Sequence, residues 1–378
     1  MNVSPQQSTG MIKQSLYDLI HTTYSAVSHN EPSGANLAPF SCIQLCVDAP
    51  DFDVPWHGAV GFTAIGSDDV ATTQHPMRIA STSKTFVAVA ILRLWEQQKL
   101  GLDTGIDCYI SAMHQQLLVS HGYKPALITI RHLLTHTSGL FDYADSEGFY
   151  TQVTATPHRY WTRTEQLALA MDLGKPYGQP GEVYRYSDTG YILLGEIVEQ
   201  VYGQALGPAL RALLDYHRLG LNSTWLETAE PPPEGALPRI HQYVEEQDFY
   251  AVNGSCDIYG GGGLISTVDD MARFMRALFS HQVFVNPNTL TEMLTTVAAK
   301  AGGPAAYNNY EQIPGTYRLG INEDLQGKVY HHGGYYGTCA GYIPACDFAF
   351  SFSINQHFCK PVFERLLSGI YSIFEVEA

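Results

Sequence analysis

Ser81 and Lys84 are the residues of this sequence whose types and spacing point to nucleophilic chemistry. Residues three apart on a helix share a face, so the Ser81 hydroxyl and the Lys84 amine can point into one cleft. A serine hydroxyl attacks a carbonyl carbon only if a base takes its proton, and a lysine removed from water can be that base. The same pattern also arises by chance, with a helix-capping serine and a solvated lysine, so other residues must support the catalytic interpretation.

The segment after this pair has the character of a buried helix. Residues 85–99 begin apolar on nearly every side and become polar only towards their end. This is the pattern of a helix inside a protein core. The sequence therefore predicts a long core helix that begins at Ser81 and positions both side chains.

Composition limits the class of protein. A chain of 378 residues with 45% hydrophobic and 15% charged residues is globular and large enough for two sub-regions. Its net charge of −16 argues against nucleic acid and anionic membranes as partners, because both require basic patches. The seven cysteines lack metal-site spacing. We see no signal peptide and no apolar run of transmembrane length, and therefore expect a cytoplasmic protein. The oligomeric state is left open.

Hydrophobic periodicity places strands at both ends of the chain and helices between them. A helix at 11–28 precedes a hairpin of 41–48 and 56–65, with a turn marked by Pro50 and Pro55. The other predicted helices are 130–134, 164–173, 188–202, 208–214, 361–374, and one through Leu278 capped by Ser266 or Thr267. The other predicted strands are 317–321, 328–332, 338–344 and 348–355.

This order predicts an α+β fold. One antiparallel sheet is built from the N- and C-terminal segments, 1–85 plus 265–378, and is flanked by helices. A mostly helical domain, 86–264, is inserted, and the active site lies at the interface of the two.

Three further clusters follow Ser81 and Lys84 in order. Residues 128–140 read ITIRHLLTHTSGL, residues 184–195 contain Tyr186-x-Asp188, and residues 330–337 contain His331-x-Gly333. With these clusters the chain resembles the serine β-lactamase-like superfamily. The similarity lies in the branch of class C β-lactamases, D-alanyl-D-alanine carboxypeptidases, D-aminopeptidases and related esterases. It spans roughly residues 40–355 and implies a β-lactamase/transpeptidase-like fold.

The resemblance also implies catalytic roles. Ser81 would be the acylated nucleophile, Lys84 its partner, and Tyr186 a second base or proton shuttle. A tyrosine near pKa 10 needs nearby cations to act as a base, and Lys84 together with His331 would supply them. His331 would replace the lysine that begins the Lys-Thr-Gly strand of β-lactamases.

The same strand would contribute backbone groups and substrate contacts. Amides of Ser81 and Gly334 would form the oxyanion hole, and Gly333 would contact the substrate. Adjacent strand residues point to opposite faces, so one of His331 and His332 faces the cleft. We predict that it is His331.

Asp188 departs from the family pattern, which usually has Asn at this position. A carboxylate only accepts hydrogen bonds and would hold Lys84 protonated more firmly. Two hypotheses follow: the base role moves towards Tyr186, and Asp188 favours substrates that carry a positive group. The alternative is that Asp188 only pairs with Lys84.

A metal centre is not expected. His132 and His136 are four residues apart but lack the intervening glutamate of the metalloprotease motif. The resemblance implies no metal and no organic cofactor, and it gives this stretch a structural role behind the site.

These observations together predict a serine hydrolase that forms an acyl-enzyme on amides or esters. The first choice is a D-stereospecific peptidase or amidase of the D-alanyl-D-alanine carboxypeptidase or D-aminopeptidase type, acting on a small molecule or short peptide. A carboxylesterase or weak β-lactamase is the alternative. The case for a dedicated β-lactamase is weaker, because a histidine in place of the Lys-Thr-Gly lysine is only partly charged at neutral pH. A penicillin-binding sensor or a non-catalytic ligand-binding homologue is the alternative of another class. An aromatic cleft wall is expected from Tyr143, Tyr150, Tyr160, Tyr335 and Tyr336.

Overall fold

The computed structural model describes residues 5–28, 38–49, 55–301, 315–357 and 359–376. In this part of the chain the main sheet is antiparallel and joins the first two strands to the last four. Its spatial order is β10 (Asn322–Asp324), β11 (Val329–Gly334), β12 (Thr338–Ile343), β13 (Phe348–Ser353), β1 (Cys42–Asp48) and β2 (Trp56–Gly61). The predicted fold class is therefore confirmed, and so is the N-terminal hairpin, whose turn at 50–54 lies outside the described residues.

The remaining elements are short strands and the helices that cover the sheet. The strands are β3 (Met77–Arg78), β4 (Val183–Tyr184), β5 (Trp225–Leu226), β6 (Tyr243–Val244), β7 (Gln247–Asp248), β8 (Leu264–Ser266) and β9 (Lys300–Ala301). The helices are α1 (Pro5–Ser28), α2 (Ser83–Glu96), α3 (Ala112–Ser120), α4 (Ile130–Leu134), α5 (Glu147–Ala155), α6 (Arg163–Leu173), α7 (Asp188–Tyr202), α8 (Leu206–Leu213), α9 (Tyr216–Leu219), α10 (Val268–Phe279), α11 (Pro287–Met293) and α12 (Lys360–Ile373). No helix of the described residues combines the length and apolar character needed to cross a bilayer.

Both faces of the main sheet are covered by helices. Along β1, Ile43 and Leu45 pack with α1 and α12, whereas Cys42 and Cys46 belong to the core on the α10 side. Side chains alternate between the faces of a strand, and six of the seven β1 residues are buried because both faces of the strand are covered.

Helix α2 lies in the core on the α10 side of the main sheet. This position explains why it is apolar on nearly all sides. All but three of its residues are buried, and it packs against α7 and α8. Contrary to the prediction, α2 begins at Ser83, because a 3₁₀ turn over Ala80–Thr82 carries Ser81.

The predicted strand at 317–321 is wrong. Tyr317 makes one isolated bridge to Asn322, and the strand itself begins at Asn322. The backbone turns at Gly320, where φ is +84°, and the Gly320 carbonyl accepts a hydrogen bond from Thr85 Oγ1 at 2.8 Å. The segment is thus anchored to α2 instead of extending the sheet.

The division of the chain into a sheet domain and an inserted helical domain, at residues 85/86 and 264/265, stays a prediction.

Two glycines of α7 give a stability test with the same substitution in the same helix. A Cβ on Gly195 would clash with the Tyr259 carbonyl oxygen, whereas a Cβ on Gly190 would meet nothing closer than 3.6 Å. We expect Gly195→Ala to lower the free energy of unfolding by about 1–3 kcal/mol through overpacking. Gly190→Ala should be neutral or should raise it by up to about 1 kcal/mol through helix propensity. Urea denaturation measures both, and equal effects would contradict this packing.

Candidate active site

Ser81 lies in a turn with unusual backbone geometry. The preceding residue, Ala80, has φ of +45°, a conformation that non-glycine residues adopt at a cost of about 1–3 kcal/mol. The turn is fixed because the Ile79 carbonyl accepts hydrogen bonds from the Thr82 amide at 3.1 Å and the Thr338 hydroxyl at 3.0 Å. The surrounding structure therefore maintains a strained turn at the predicted nucleophile.

Lys84 is fully buried, and its ammonium contacts three acceptors. Nζ donates to Ser81 Oγ at 2.9 Å and to the Gly261 carbonyl at 2.6 Å, and it forms an ion pair with Asp188 Oδ1. Two hydrogen bonds and one ion pair therefore compensate the loss of water around this ammonium. A buried charge is tolerated only when it is paired in this way.

Tyr186 is hydrogen-bonded to Ser81, and its ring centroid lies 4.9 Å from Lys84 Nζ. Burial, followed by the negative charge of Asp188, raises the pKa of Tyr186 well above its usual value. The structure thus brings Ser81, Lys84 and Tyr186 together as predicted. It does not support the expectation that nearby cations lower the pKa of this tyrosine.

Asp188 is the first residue of α7, where a carboxylate also interacts favourably with the helix dipole. Its amide donates to Asp142 Oδ1 at 3.0 Å. A second carboxylate, Asp257, adjoins Gly262, while Asp188 adjoins Gly261, where a Cβ would lie 3.2 Å from its Oδ1. Burial and then the charge of Asp188 raise the pKa of Asp257 to about 7. The glycine segment at Gly261 and Gly262 thus packs against two carboxylates.

The structure corrects the prediction for the two histidines of β11. His331 faces α12: its Nδ1 lies 4.0 Å from Cys339 Sγ, and a Cβ on Gly333 would lie 3.6 Å from Phe363 of that helix. His332 points to the opposite face, where its ring centroid is 6.5 Å from that of Tyr186. The expectation for His331 failed because strand alternation leaves the choice open until the register is known.

Hydrogen bonds fix the tautomer of His332. Nδ1 donates to the Gly333 carbonyl at 2.7 Å, and Nε2 lies 3.0 Å from the Tyr317 hydroxyl. Burial, followed by the charge of Lys84, lowers the pKa of His332 to about 3. A neutral imidazole with its proton on Nδ1 accepts at Nε2, so Tyr317 is the donor.

Strand geometry also argues against Gly334 as an oxyanion donor. The Gly334 carbonyl accepts from the Gly337 amide at 3.0 Å, and Gly334 pairs with Thr338 of β12. The N–H and C=O of one residue in an antiparallel strand point to the same edge. The Gly334 amide therefore points at β12, and the Gly333 carbonyl and the next amide, that of Tyr335, point to the other edge.

His132 and His136 have structural roles. His132 Nδ1 accepts from the Thr129 amide at 3.1 Å in a capping box of α4. His136 is buried against Tyr186, with ring centroids 4.1 Å apart, and accepts from the Ser187 amide at 3.1 Å. No group of three or more His, Cys, Asp or Glu residues in the described ranges is arranged to hold a metal ion.

Part of the predicted aromatic wall is present. Tyr150 of α5 stacks on Tyr335 with centroids 5.6 Å apart, and Tyr335 stacks on His357 at 3.7 Å. Tyr143 and Tyr336 are instead buried in the core, and Tyr160 is 54% exposed.

Sequence reasoning missed Tyr317 and Asp257. Tyr317 was assigned to a strand, and Asp257 is one of 37 acidic residues, with no motif around it. The available signal for Asp257 was its place just before the run of four glycines, Gly260–Gly263.

The fold and this site define a family. The Beta-lactamase family model matches residues 51–365, so the chain belongs to that family. It is 26% identical to penicillin-binding protein 4* of Bacillus subtilis over 298 residues, 75% of this chain and 60% of that protein. It is 30% identical to esterase EstB of Burkholderia gladioli over 257 residues, 60% of this chain and 64% of that protein. The chain therefore spans less than two thirds of the length of these curated relatives.

Solved structures agree on the fold. A D-stereospecific amidohydrolase from Streptomyces sp. superposes with a TM-score of 0.73 at 22% identity, covering 96% of this chain and 98% of that chain. The D-amino acid amidase of Ochrobactrum anthropi SV3, complexed with L-phenylalanine amide, gives 0.74 at 21% identity, covering 96% and 99%. The curated relatives thus include an esterase and a penicillin-binding protein, and two amide-cleaving enzymes by name share the fold.

The opposite orientations of the adjacent histidines give a matched pair of variants. His332→Gln should lower kcat at least about tenfold, because it replaces the rigid imidazole next to Tyr186, which accepts from the buried Tyr317 hydroxyl, by a flexible amide. His331→Gln should change kcat less than about threefold, because its side chain faces α12. The kcat of both variants is measured by steady-state kinetics on one ester substrate. A larger loss of kcat for His331→Gln than for His332→Gln would contradict the assignment of His332 to the side of Tyr186.

Buried neutral histidines should make the fold sensitive to acid. Burial lowers the pKa of His332 to about 3 and that of His357 to about 4. The unfolded chain binds these protons near pH 6.5, so the free energy of unfolding should fall as the pH drops from about 6.5 towards 4, by up to about 1.4 kcal/mol per pH unit for each histidine. For His357→Gln, the free energy of unfolding measured by urea denaturation should depend less steeply on pH, by the contribution of about one proton. The exposed His217→Gln is the control, and equal slopes would contradict the prediction.

Proposed function

We propose that the protein is a serine hydrolase that forms an acyl-enzyme on Ser81 and acts preferentially on amides of D-amino acids or short D-peptides. The observation that carries this proposal is the convergence of two proton-transferring groups on one hydroxyl. Ser81 Oγ lies 2.9 Å from Lys84 Nζ and is hydrogen-bonded to Tyr186. This is the arrangement that activates a serine as a nucleophile.

The oxyanion hole is assigned to the backbone amides of Ser81 and Tyr335. Ser81 lies in the fixed turn before α2, and the Tyr335 amide points to the edge of β11 that faces away from β12. Two preorganised N–H donors stabilise the charge that develops on the carbonyl oxygen in the tetrahedral intermediate.

The charges around the cleft support an acyl group that carries an ammonium. Asp188 and Asp257 adjoin consecutive glycines, and no ion pair of the Asp257 carboxylate is found among the described residues. Because the charge of Asp188 is already paired with Lys84, a free α-ammonium would complement the ionised form of Asp257. Two proteins that share the fold over nearly the whole chain are named a D-stereospecific amidohydrolase and a D-amino acid amidase, which supports the same class of substrate.

A carboxylesterase is the second candidate. His332 is neutral where β-lactamases have a lysine, so the site offers no fixed cation there for a substrate carboxylate. This argues against β-lactams and D-alanyl-D-alanine peptides and leaves uncharged esters as good substrates. The 30% identity to an esterase supports the same alternative.

Covalent labelling and a substrate panel test both candidates. The protein should react with a fluorophosphonate probe, Ser81→Ala should not, and Ser83→Ala should still react because the Ser83 hydroxyl only accepts from the Leu264 amide. D-Amino acid p-nitroanilides should be cleaved at least about tenfold faster than the L-isomers and the N-acetylated forms, a difference of about 1.4 kcal/mol.

The outcomes separate the alternatives. Turnover of short-chain nitrophenyl esters alone would select the esterase. Persistent labelling by a fluorescent penicillin without turnover would indicate a sensor. Absence of labelling of the unaltered protein would contradict an acyl-enzyme and indicate a ligand-binding homologue.

A further inference from the structure

We propose that Asp188 is the proton acceptor that converts Lys84 into the base for Ser81. The inference rests on the proposed acyl-enzyme function and assigns Asp188 a role that acts through Lys84. It differs from a substrate-binding role for this carboxylate, which is the alternative that the experiment below tests.

The first step of the argument is the set of contacts that Lys84 makes. Its ammonium donates to Ser81 Oγ and to the Gly261 carbonyl and is ion-paired with Asp188, so the protonated nitrogen has no lone pair for the serine proton. Lys84 can therefore act as a base only after it loses a proton. Of its three acceptors, one is the nucleophile and one is a peptide carbonyl. The carboxylate is the acceptor that can hold a proton.

The second step excludes the other nearby groups as resting bases. Burial and the charge of Asp188 raise the pKa of Tyr186 well above its usual value, so the phenolate is not available at neutral pH. His332 accepts at Nε2 from Tyr317 and donates from Nδ1 to the Gly333 carbonyl. Both of its nitrogens are occupied, so it does not take the serine proton.

The third step is the location of the ion pair. The Lys84 side chain is 0% exposed and that of Asp188 is 14% exposed. Removing two opposite charges from water costs several kcal/mol for each ion, so transfer of one proton within the pair is far less unfavourable there than in solvent. A substrate over the cleft removes the remaining water at Asp188 and favours the neutral pair further.

The acylation step then balances. A proton moves from Lys84 Nζ to Asp188 Oδ1, and the freed lone pair takes the proton of Ser81 as its oxygen bonds to the carbonyl carbon. The π electrons of the carbonyl move to its oxygen. When the intermediate collapses, the bond to the leaving group breaks, and Lys84 gives that group its proton. Asp188 then returns its proton to Lys84, which restores the ion pair.

Several other charged or titratable groups surround the pair. From the neighbouring elements these are Asp142, Tyr143, Tyr191, His136, His332 and Asp257. The pKa values of the two tyrosines are raised and those of the two histidines are lowered, so these four remain neutral near pH 7. Asp257, with a pKa raised to about 7, could itself produce an acid limb in a pH profile. It therefore defines the control variant.

The test is the pH dependence of kcat/KM for Asp188→Asn on an uncharged nitrophenyl ester. With the amide, the Lys84 ammonium must lose its proton to solvent before it can act. The acid limb should therefore move to higher pH by at least about one unit, which is a tenfold loss on that limb. Activity at pH 9.5–10 should return to within about tenfold of the unaltered protein, and fluorophosphonate should still label the variant at that pH.

The controls separate the alternatives. In Asp257→Asn, the acid limb of kcat/KM that depends on Asp188 should stay at the same pH. If Asp257→Asn moves this limb as Asp188→Asn does, the proposal is overturned. A pH-independent loss in Asp188→Asn would indicate a merely structural carboxylate and also overturns it. A higher KM confined to substrates with a free ammonium would make Asp188 a substrate-binding residue, again against the proposal. Absence of labelling in the unaltered protein would instead overturn the proposed function.

Discussion

The buried ammonium of Lys84 is the constraint on which the rest of the site depends. A lysine with no exposed surface requires a full set of acceptors, and the chain supplies them from three separate segments. The 3₁₀ turn before α2 gives Ser81, the glycine segment before β8 gives a carbonyl, and the first residue of α7 gives a carboxylate. Any change that shifts one of these segments leaves a buried charge with an unfilled donor, so the ammonium couples local geometry to the packing of the core.

Packing around α2 keeps these segments in place. The helix is buried on nearly all sides and packs against α7, and the backbone at Tyr259 approaches α7 so closely that Gly195 has no room for a side chain. The segment at Gly320 is bonded to Thr85 of the same helix and carries Tyr317 towards His332. The residues that fill the core and the residues that surround Ser81 therefore belong to the same elements. This explains why so much apolar sequence adjoins the motif.

The sequence was informative where a local pattern determines the structure. The helices at Ile130–Leu134 and Asp188–Tyr202 begin and end as predicted, because N-caps and apolar periodicity are local signals. It failed where the outcome depends on contacts distant in sequence. The choice between His331 and His332 follows from pairing with β12, and the bend at Gly320 follows from a bond to α2. The charge state of Tyr186 depends on Asp188 and burial together, which no motif reports.

The distribution of charge, more than the geometry, distinguishes this site from the β-lactamase pattern. The scaffold and the Ser81–Lys84–Tyr186 contacts match that pattern, but the cationic position on β11 holds a neutral histidine and the amide position on α7 holds a carboxylate. Both replacements change the local charge in the negative direction. Lys84 is then the one cation in contact with Ser81 in the described part of the chain, and its charge is balanced internally by Asp188. A substrate carboxylate would meet no free positive group there, whereas an ammonium or a neutral ester would avoid repulsion. On the proposed function, substrate choice in this protein therefore follows from two substitutions that leave the fold unchanged.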